Sequence, residues 1–366
     1  MPLYMDVHIV PGVKATGVAQ AHQLDLVHQD EYNCKCMTYW IDEVRESVFC
    51  LIEAPTKEAV IEMHSKAHGL VPNKVIEVSA DIVESFLGRI YDPEEAETTE
   101  DGLKVFTDPS FRVLLVIQIA DPVLLQHQLG KDVANELFKK QNEIIRKNMK
   151  SCGGSDVEHP GAGYIISFAS AGKAVSCALS IHNEIPEKDA EKLELKISIN
   201  GGEPIEKSNK LFGDTIQKAQ YMCAIAKYFQ VAMASTVKEL VLKDHFQNKE
   251  NKFLTLSPQD EAFLTQLFNT LEEKWQDADF NFDDYSQAMA MSKSQLYRKT
   301  ISLTGLSPNI FLKEYRLEKA KELLRKKTYN ISQITFNSGF TSPSYFTKCF
   351  KTKYGLLPHD YLDLVQ

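Results

Sequence analysis

The chain has 366 residues, of which 43% are hydrophobic and 25% are charged, and its net charge is −9. These values exclude a disordered or fibrous chain, and the length predicts two or three domains. No run of about 18 apolar residues occurs and residues 1–6 lack a secretory signal, so neither a membrane span nor export is expected. Seven scattered cysteines favour reduced thiols, so we expect a cytoplasmic protein.

Charge is distributed unevenly along the chain. Residues 278–366 carry 13 Lys and Arg against 8 Asp and Glu, whereas the remainder carries 28 against 42. A basic segment on an acidic body indicates that polyanion binding is confined to one end.

Two stretches are typical of linkers. Residues 92–102 are acidic and nearly free of apolar side chains. Residues 243–252 are polar and form a less distinct linker. They divide the chain into segments 1–91, 103–242 and 255–366. We expect a multidomain α+β protein in which each segment is a domain.

The first segment has the element order β-α-β-β-α-β, which predicts a ferredoxin-like fold. The predicted elements are residues 4–10, 16–31, 34–41, 47–53, 56–68 and 74–78.

Five of the ten histidines fall within the first 68 residues, together with three cysteines. Asp6 and His8 share one face of a strand because side chains alternate. His64 and His68 are spaced i, i+4 on a helix, so both imidazoles can bind one ion. Such donors suit nickel, zinc or copper. The alternatives are a surface histidine pair and a core role for Cys50.

Three runs in this segment resemble a small ferredoxin-like family described as nickel-binding. They are MPLYMDVHIVPGV (1–13), YWIDEVRESVFCLIEAPTKEAV (39–60) and HSKAHGL (64–70), and the resemblance covers about residues 1–80. It implies a metal effector, with nickel as the expected ion. The candidate ligands are Asp6, His8, Cys36, Cys50, His64 and His68.

The second segment predicts an α/β domain. The predicted elements are a strand 112–119, a helix 123–150, a hairpin 156–167, a helix 173–184, a strand 193–200 and a helix 215–226.

This segment resembles class III nucleotidyl cyclase domains. The runs are LLVIQIADPVLLQHQLG (114–130), GGSDVEHPGAGYIISFAS (153–170), AVSCALSIHNEI (174–185), ISINGGEP (197–204) and FGDTIQKAQYMCAIA (212–226). Where such cyclases place two metal-binding carboxylates, this chain has Gln118 and Ala162, and Asp121 is displaced by three residues. Gln217 and Tyr221 replace the transition-state Asn and Arg. A neutral amide and a methyl group cannot hold Mg²⁺, so the resemblance implies dimerisation or ligand binding rather than catalysis.

The third segment is all helical and contains two helix-turn-helix patterns. The predicted helices are residues 285–290, 293–303, 308–326, 331–337 and 341–354. Ser292 and Ser307 are N-caps, Pro308 opens a helix, and Gly305 and Gly355 end helices.

The connecting helix has the length that DNA reading requires. About nineteen residues span ~28 Å, close to the ~34 Å between successive major-groove faces. Candidate base-reading residues are Ser294, Gln295, Tyr297, Arg298, Ser344, Tyr345, Thr347 and Lys348. Candidate phosphate contacts are Lys293, Lys299, Lys351 and Lys353. The alternative is a helical protein-interaction domain with a solvated basic face.

Two runs here resemble AraC/XylS-type regulators. They are MSKSQLYRKTISLTGLSPNIFLKEYRLEKAKELL (291–324) and ISQITFNSGFTSPSYFTKCFKTKYGLLPHDY (331–361). The resemblance covers about residues 280–361 and implies that both second helices enter the major groove. The resemblance therefore implies that residues 293–299 and residues 342–348 lie in the major groove. Ser342 is the first candidate residue of the second range.

The whole chain is therefore expected to be an AraC-type transcription regulator that responds to a metal or a small ligand. Its expected partners are double-stranded DNA and a second copy of itself, without a membrane. One alternative is a nucleotidyl cyclase-like enzyme with displaced metal ligands, fused to a DNA-binding tail. Another is a constitutive DNA binder whose first two domains serve only assembly.

Overall fold

The structure is a computed structural model that describes residues 1–100, 102–161, 163–228, 230–241 and 252–365. The N-terminal elements are β1 (Leu3–Ile9), α1 (Ala15–His28), β2 (Lys35–Asp42), β3 (Ser47–Glu53), α2 (Lys57–Ala67), β4 (Lys74–Val78) and α3 (Ala80–Leu87). The strands form an antiparallel sheet in the order β2-β3-β1-β4. This is the ferredoxin-like order that the element sequence predicts, followed by one additional helix, α3.

Each face of this sheet has a different neighbour. One face packs beneath α1 and α2 through residues such as Val18, Val60 and Met63. The opposite face carries buried Trp40 and Phe49, which share a core with α3 and with residues further along the chain. The N-terminal sheet is therefore covered on both sides.

The predicted acidic linker contains ordered structure. Glu97–Thr98 (β5) and Lys104–Val105 (β6) form a two-stranded hairpin, although Asp101 lies outside the described residues. Phe106 follows at once and stacks on Tyr39, with ring centroids 4.2 Å apart. Because Tyr39 belongs to β2, this buried aromatic pair packs the end of the hairpin against the N-terminal domain.

The middle domain has a six-stranded sheet. Its elements are β7 (Arg112–Gln118), α4 (Pro122–Leu129), α5 (Lys131–Ser151), β8 (Ser155–Glu158), β9 (Tyr164–Phe168), α6 (Ala171–Glu184), α7 (Glu187–Lys192), β10 (Lys196–Gly202), α8 (Gly213–Ile225), β11 (Val231–Met233), α9 (Ser235–Leu240) and β12 (Phe253–Thr255). The order is β12-β11-β10-β7-β9-β8. Strands β10-β7-β9-β8 repeat the antiparallel arrangement of the N-terminal sheet, and β11 and β12 extend it in parallel.

The single helix predicted over residues 123–150 is instead two helices. Gly130 separates α4 from α5 with φ 82° and ψ 152°, a conformation that glycine adopts without steric cost.

The C-terminal domain is helical. Its elements are α10 (Pro258–Lys274), α11 (Phe282–Ala288), α12 (Lys293–Thr304), α13 (Pro308–Lys326), α14 (Ile331–Asn337), α15 (Pro343–Tyr354) and α16 (Pro358–Leu364). Of the predicted linker 243–252, only Lys252 is described. Within the described part of the chain, no helix combines the length and apolarity needed to cross a bilayer.

The middle and C-terminal domains share one hydrophobic core, which extends along the chain from Val113 to Leu312. Tyr221 on α8 stacks on Phe268 of α10, with ring centroids 4.2 Å apart and an interplanar angle of 4°. The first helix-turn-helix unit is thus packed directly on the middle domain.

Candidate nucleic-acid interface and metal centre

The second helix of the first unit, α12, is fixed at both ends by local chemistry. The Ser292 hydroxyl accepts a hydrogen bond from the backbone N–H of Gln295 at 3.3 Å, and the Gln295 side chain accepts one from the N–H of Ser292 at 3.1 Å. Gly305 ends the helix with φ 73°. Such a capping box satisfies two N–H groups that would otherwise lack a partner.

The second unit repeats this design. Asn330 and Gln333 form a capping box at the start of α14. The hydroxyl of Ser342 accepts from the N–H of Tyr345 at the start of α15, and Gly355 ends α15 with φ 82°. The predicted cap Ser292 and the predicted helix ends at Gly305 and Gly355 are confirmed, whereas Ser307 precedes α13 without a capping hydrogen bond from its side chain.

The two units correspond at a constant offset of 50 residues. Ser292 and Ser342 are N-caps, Gly305 and Gly355 end the second helices, and Pro308 and Pro358 open the next ones. Each unit therefore presents a twelve-residue second helix in the same local frame.

The connecting helix α13 has nineteen residues, as predicted, and most of its basic side chains have partners inside the protein. Arg316 donates to the carbonyl oxygen of Trp275 at 2.9 Å, and Arg325 lies 2.6 Å from Asp121. Lys319 and Lys321 pair with glutamates. These contacts hold α13 in place between the two units, and most of its positive charge is paired within the fold.

Most predicted base-reading residues are exposed on α12 and α15. Tyr297 and Tyr345 are 47% and 53% exposed, although both are aromatic. The other exposed residues of the predicted set are Ser294, Gln295, Arg298, Ser344 and Lys348, whereas Ser342 and Thr347 are half-buried. The Gln295 amide oxygen is engaged in the capping box, which leaves its amide nitrogen as the donor.

The predicted phosphate-binding lysines differ in their surroundings. Lys351 is exposed. Lys293 is ion-paired with Asp283 at 2.6 Å, and the Lys299 ammonium lies 5.2 Å from the centre of the Phe263 ring. Lys353 contacts two glutamates, Glu314 and Glu318, at 2.8 and 3.0 Å. A lysine already neutralised by two carboxylates is a poor phosphate ligand.

In the N-terminal domain, four of the six predicted metal ligands come together. Asp6, His8, Cys50 and His64 are buried, and one donor atom from each lies within 4.8 Å of the others. Asp6 and Cys50 are directly opposite on β1 and β3. His64 Nε2 is 2.9 Å from Asp6 Oδ2, and His8 Nε2 is 3.4 Å from Asp6 Oδ1.

A second group shares His64. Its other nitrogen, Nδ1, is 3.0 Å from Asp25 Oδ1 and 3.1 Å from His68 Nε2, and the latter two atoms are 3.2 Å apart. Ligands ~2.1 Å from an ion and at right angles to each other are about 3.0 Å apart. The spacing of this group therefore fits a transition-metal ion.

The electrostatics of the cluster also fit a cation. Burial disfavours protonated His64, but Asp6 and Asp25 outweigh that effect and raise its pKa to about 10. Burial likewise favours neutral Asp6, yet His64 and His8 lower the pKa of this carboxyl well below its usual range. Two buried carboxylates need positive charge nearby, which a proton on His64 or a metal ion supplies.

The predicted ligand Cys36 belongs to neither group. It faces the same helices as Cys50, but it lies further along the sheet, beside a bulge in β2, and its Sγ contacts Met63 Sδ at 3.6 Å. Sequence reasoning missed Asp25. The signal was present, because Asp25 follows Val18 and His22 at helical spacing on the buried side of α1.

Two residues from the comparison with cyclases, Asp121 and Tyr221, contact the C-terminal domain. Asp121 caps α4 through its interaction with the N–H of Val123, and its other oxygen accepts from the Tyr361 hydroxyl at 2.6 Å. Tyr221 stacks on α10, as described above, and Ala162 lies outside the described residues. Asp121 and Tyr221 thus serve contacts between domains.

Two family models match parts of the chain. Residues 285–363 match the model described as "Helix-turn-helix domain", and residues 4–78 match "Nickel responsive protein SCO4226-like". The C-terminal domain is thus similar to helix-turn-helix domains, and the N-terminal domain is similar to the SCO4226-like family.

The similarity to curated relatives covers only part of the length of each relative. The HTH-type transcriptional regulator MtrA of Neisseria gonorrhoeae is 30% identical over 132 residues, which cover 36% of this chain and 44% of MtrA. Histidine kinase P4 of Formosa agariphila is 36% identical over 123 residues, which cover 33% of this chain and 9% of the kinase. The chain thus spans less than half the length of these relatives.

Among solved structures, SCO4226 from Streptomyces coelicolor A3(2) is similar to the N-terminal domain. The two are 34% identical over 21% of this chain and 94% of SCO4226, with a TM-score of 0.20.

Proposed function

We propose that this protein is a sequence-specific DNA-binding transcription regulator of AraC type. The observation that carries the proposal is the pair of capped helix-turn-helix units joined by α13, which expose polar side chains on both second helices. Helices with this spacing suit adjacent turns of the major groove. The similarity to transcriptional regulators such as MtrA supports the same reading.

Each second helix contributes base contacts in this proposal. Arg298 on α12 is suited to guanine, because a guanidinium can donate to two acceptors of that base. Tyr345 and Lys348 on α15 face solvent in the equivalent unit. Lys351 supplies a phosphate contact that fixes position without reading sequence.

We further propose that the N-terminal domain binds a transition-metal ion, with nickel favoured by the similarity to the nickel-responsive family. Asp6, His8, Cys50, His64 and His68 remain candidate ligands, and Asp25 joins them. They form two alternative sites, because Asp6 approaches His64 Nε2 and Asp25 approaches Nδ1, and one ion binds only one of these nitrogens. The ion would supply the positive charge that these carboxylates require. Metal binding changes the affinity for DNA only if the ion binds two conformations of the protein with different affinities.

The middle domain is assigned no catalytic role in this proposal. It contacts the C-terminal domain through Asp121 and Tyr221 and the N-terminal domain through Lys74, and homodimerisation stays a prediction of the sequence. A regulator of this kind acts on chromosomal DNA in the cytoplasm.

The test is selection of binding sites by the full-length protein from random DNA duplexes, with and without Ni²⁺. Salt must be fixed, because phosphate contacts make affinity strongly salt-dependent. We expect a motif with two half-elements about one helical turn apart. The double variant Arg298→Ala/Lys348→Ala, changed only at exposed positions, should lose the motif. No preferred sequence in either condition would contradict the proposal.

A further inference from the structure

A cavity of about 260 Å³ lies beside the metal cluster of the N-terminal domain. The loop between β1 and α1 and the adjacent turn of α1 form its walls, with Val10, Val13 and Val18 among the lining residues. His8 and His68 border the same space. The cavity thus combines apolar walls with metal-binding side chains at one end.

The cluster is arranged asymmetrically around this cavity. His8, Asp25, Cys50 and His68 line it, whereas Asp6 and His64 are not among its lining residues. The side chain of His64 has no solvent exposure. An ion held by these groups would meet protein on one side and the cavity on the other. Metal sites that bind external molecules keep a position open in this manner, whereas closed structural sites do not.

We propose that this cavity binds a small organic molecule with an apolar body of about one ring and a single oxygen, nitrogen or sulfur donor. The donor completes the coordination of the ion, so the inference rests on the proposed metal site. The volume lies just below the ~300–1,000 Å³ of pockets that hold drug-sized ligands, which limits the molecule to a small one. The apolar walls favour an apolar body because its burial removes nonpolar surface from water.

The cavity wall leads directly to the middle domain. The N–H groups of Val10 and Gly12 donate to the backbone carbonyl and the carboxylate of Glu46, both at 2.8 Å. On the same β2–β3 hairpin, Arg45 lies over the ring of Phe111, 3.8 Å from its centre. A molecule that presses on this loop is therefore separated from the middle domain by one hairpin.

The test uses full-length protein loaded with Ni²⁺ and 4-phenylimidazole as the probe, with imidazole and toluene as comparators. Calorimetry should show at least about tenfold tighter binding of 4-phenylimidazole than of either comparator, because only it has both a ring to bury and a donor. The nickel absorption spectrum should change on binding. The substitution Ala21→Leu fills the cavity. It should weaken the binding of 4-phenylimidazole at least about tenfold and leave the affinity for Ni²⁺ unchanged.

The matched control is Gln20→Leu, which adds the same side chain to an exposed position of α1 outside the cavity. It should leave binding of the probe unchanged. The proposal that the cavity binds the ligand would be overturned, while the metal site stands, by any of three results. These are equal affinities for 4-phenylimidazole and imidazole, tight binding of toluene, or no effect of Ala21→Leu. Failure to bind Ni²⁺ would overturn the metal site and this inference together.

Discussion

Asp6 and Asp25 approach opposite nitrogens of the same buried imidazole, that of His64. A buried carboxylate is unstable without a nearby cation, so this part of the N-terminal domain requires a proton on His64 or a bound metal ion. His68 follows the last residue of α2 and belongs to no helix or strand, which makes it the candidate ligand whose removal least disturbs the fold.

Replacement of His68 by alanine should lower the affinity for Ni²⁺ at least about tenfold, because it removes one donor from the group that it forms with Asp25 and His64. His28→Ala is the matched control, since His28 lies on α1 and pairs with Glu31 instead. Equilibrium dialysis with metal analysis measures both. Equal losses in the two variants would show that the cluster is not the nickel site.

Gly339 is the residue that joins α14 to α15. It has φ 71°, and an added Cβ would come closer than 3.0 Å to the Trp275 carbonyl oxygen and to the Arg316 guanidinium. The turn thus needs glycine both for its backbone conformation and for its closeness to another chain segment.

Gly339→Ala should therefore destabilise the protein more than Gly305→Ala. Gly305 has nearly the same φ, 73°, but no atom lies within 4 Å of its added Cβ. The control should cost about 1 kcal/mol from backbone strain alone, and Gly339→Ala a further ~1–3 kcal/mol from the clash. Urea unfolding of both variants measures the difference, and equal midpoints would refute the steric account.

At the level of elements, α12 and α15 are the two helices that we propose to contact DNA, and α13 connects the two units. Helix limits in this domain were largely predictable because caps and glycines mark them locally. The helix α14 spans the predicted residues 331–337 and α13 ends at Lys326 as expected, whereas α15 begins at Pro343 and not at residue 341. The three-residue strands β11 and β12 were not predictable. They form only by parallel pairing with β10 and with each other, which no local pattern reports.

The candidate metal site shows the same division between local and non-local information. Strand alternation and helix spacing correctly grouped Asp6 with His8, and His64 with His68. The grouping of Cys36 failed because a bulge and its position along the sheet decide which cysteine reaches the cluster. Asp25 comes from another helix, and only the packing of α1 on α2 brings it to His64.

Arg298→Ala and Lys348→Ala should damage different halves of the DNA motif. Arg298 lies on α12 and Lys348 on α15, so each variant should relax sequence preference in one half-element, at a cost of about 1–3 kcal/mol. Lys351→Ala is the control, because loss of a phosphate contact weakens binding evenly across sequences. Binding to a panel of singly altered sites distinguishes these results. Identical effects of the two variants on both halves would contradict the assignment.

At the level of the whole molecule, the three domains form a continuous series of contacts. Lys74 on β4 donates hydrogen bonds to the backbone carbonyls of Glu206, Lys207 and Ser208 in the middle domain. Asp121 then pairs with Arg325 and Tyr361 in the DNA-binding domain. A change near the candidate metal site can therefore reach α13 through packed contacts.

Lys74→Met should leave Ni²⁺ affinity unchanged but reduce the effect of Ni²⁺ on DNA affinity, by about 0.5–2 kcal/mol of coupling free energy. The substitution removes three hydrogen bonds between the domains and keeps the length of the aliphatic side chain. Lys57→Met, at an exposed position of α2, is the control. Fluorescence anisotropy at saturating and zero Ni²⁺ gives the coupling. An unchanged nickel effect in Lys74→Met would exclude this contact from the signal path.

The 50-residue correspondence between the two helix-turn-helix units has a consequence for orientation on DNA. Their frames match, but the side chains at equivalent positions differ, with Tyr297 and Arg298 on one helix and Thr347 and Lys348 on the other. One bound chain would therefore read an asymmetric site and would have a direction along the duplex. Inverting the site would turn the N-terminal and middle domains toward the opposite side of the promoter, so the same sequence would have a different regulatory effect in each orientation.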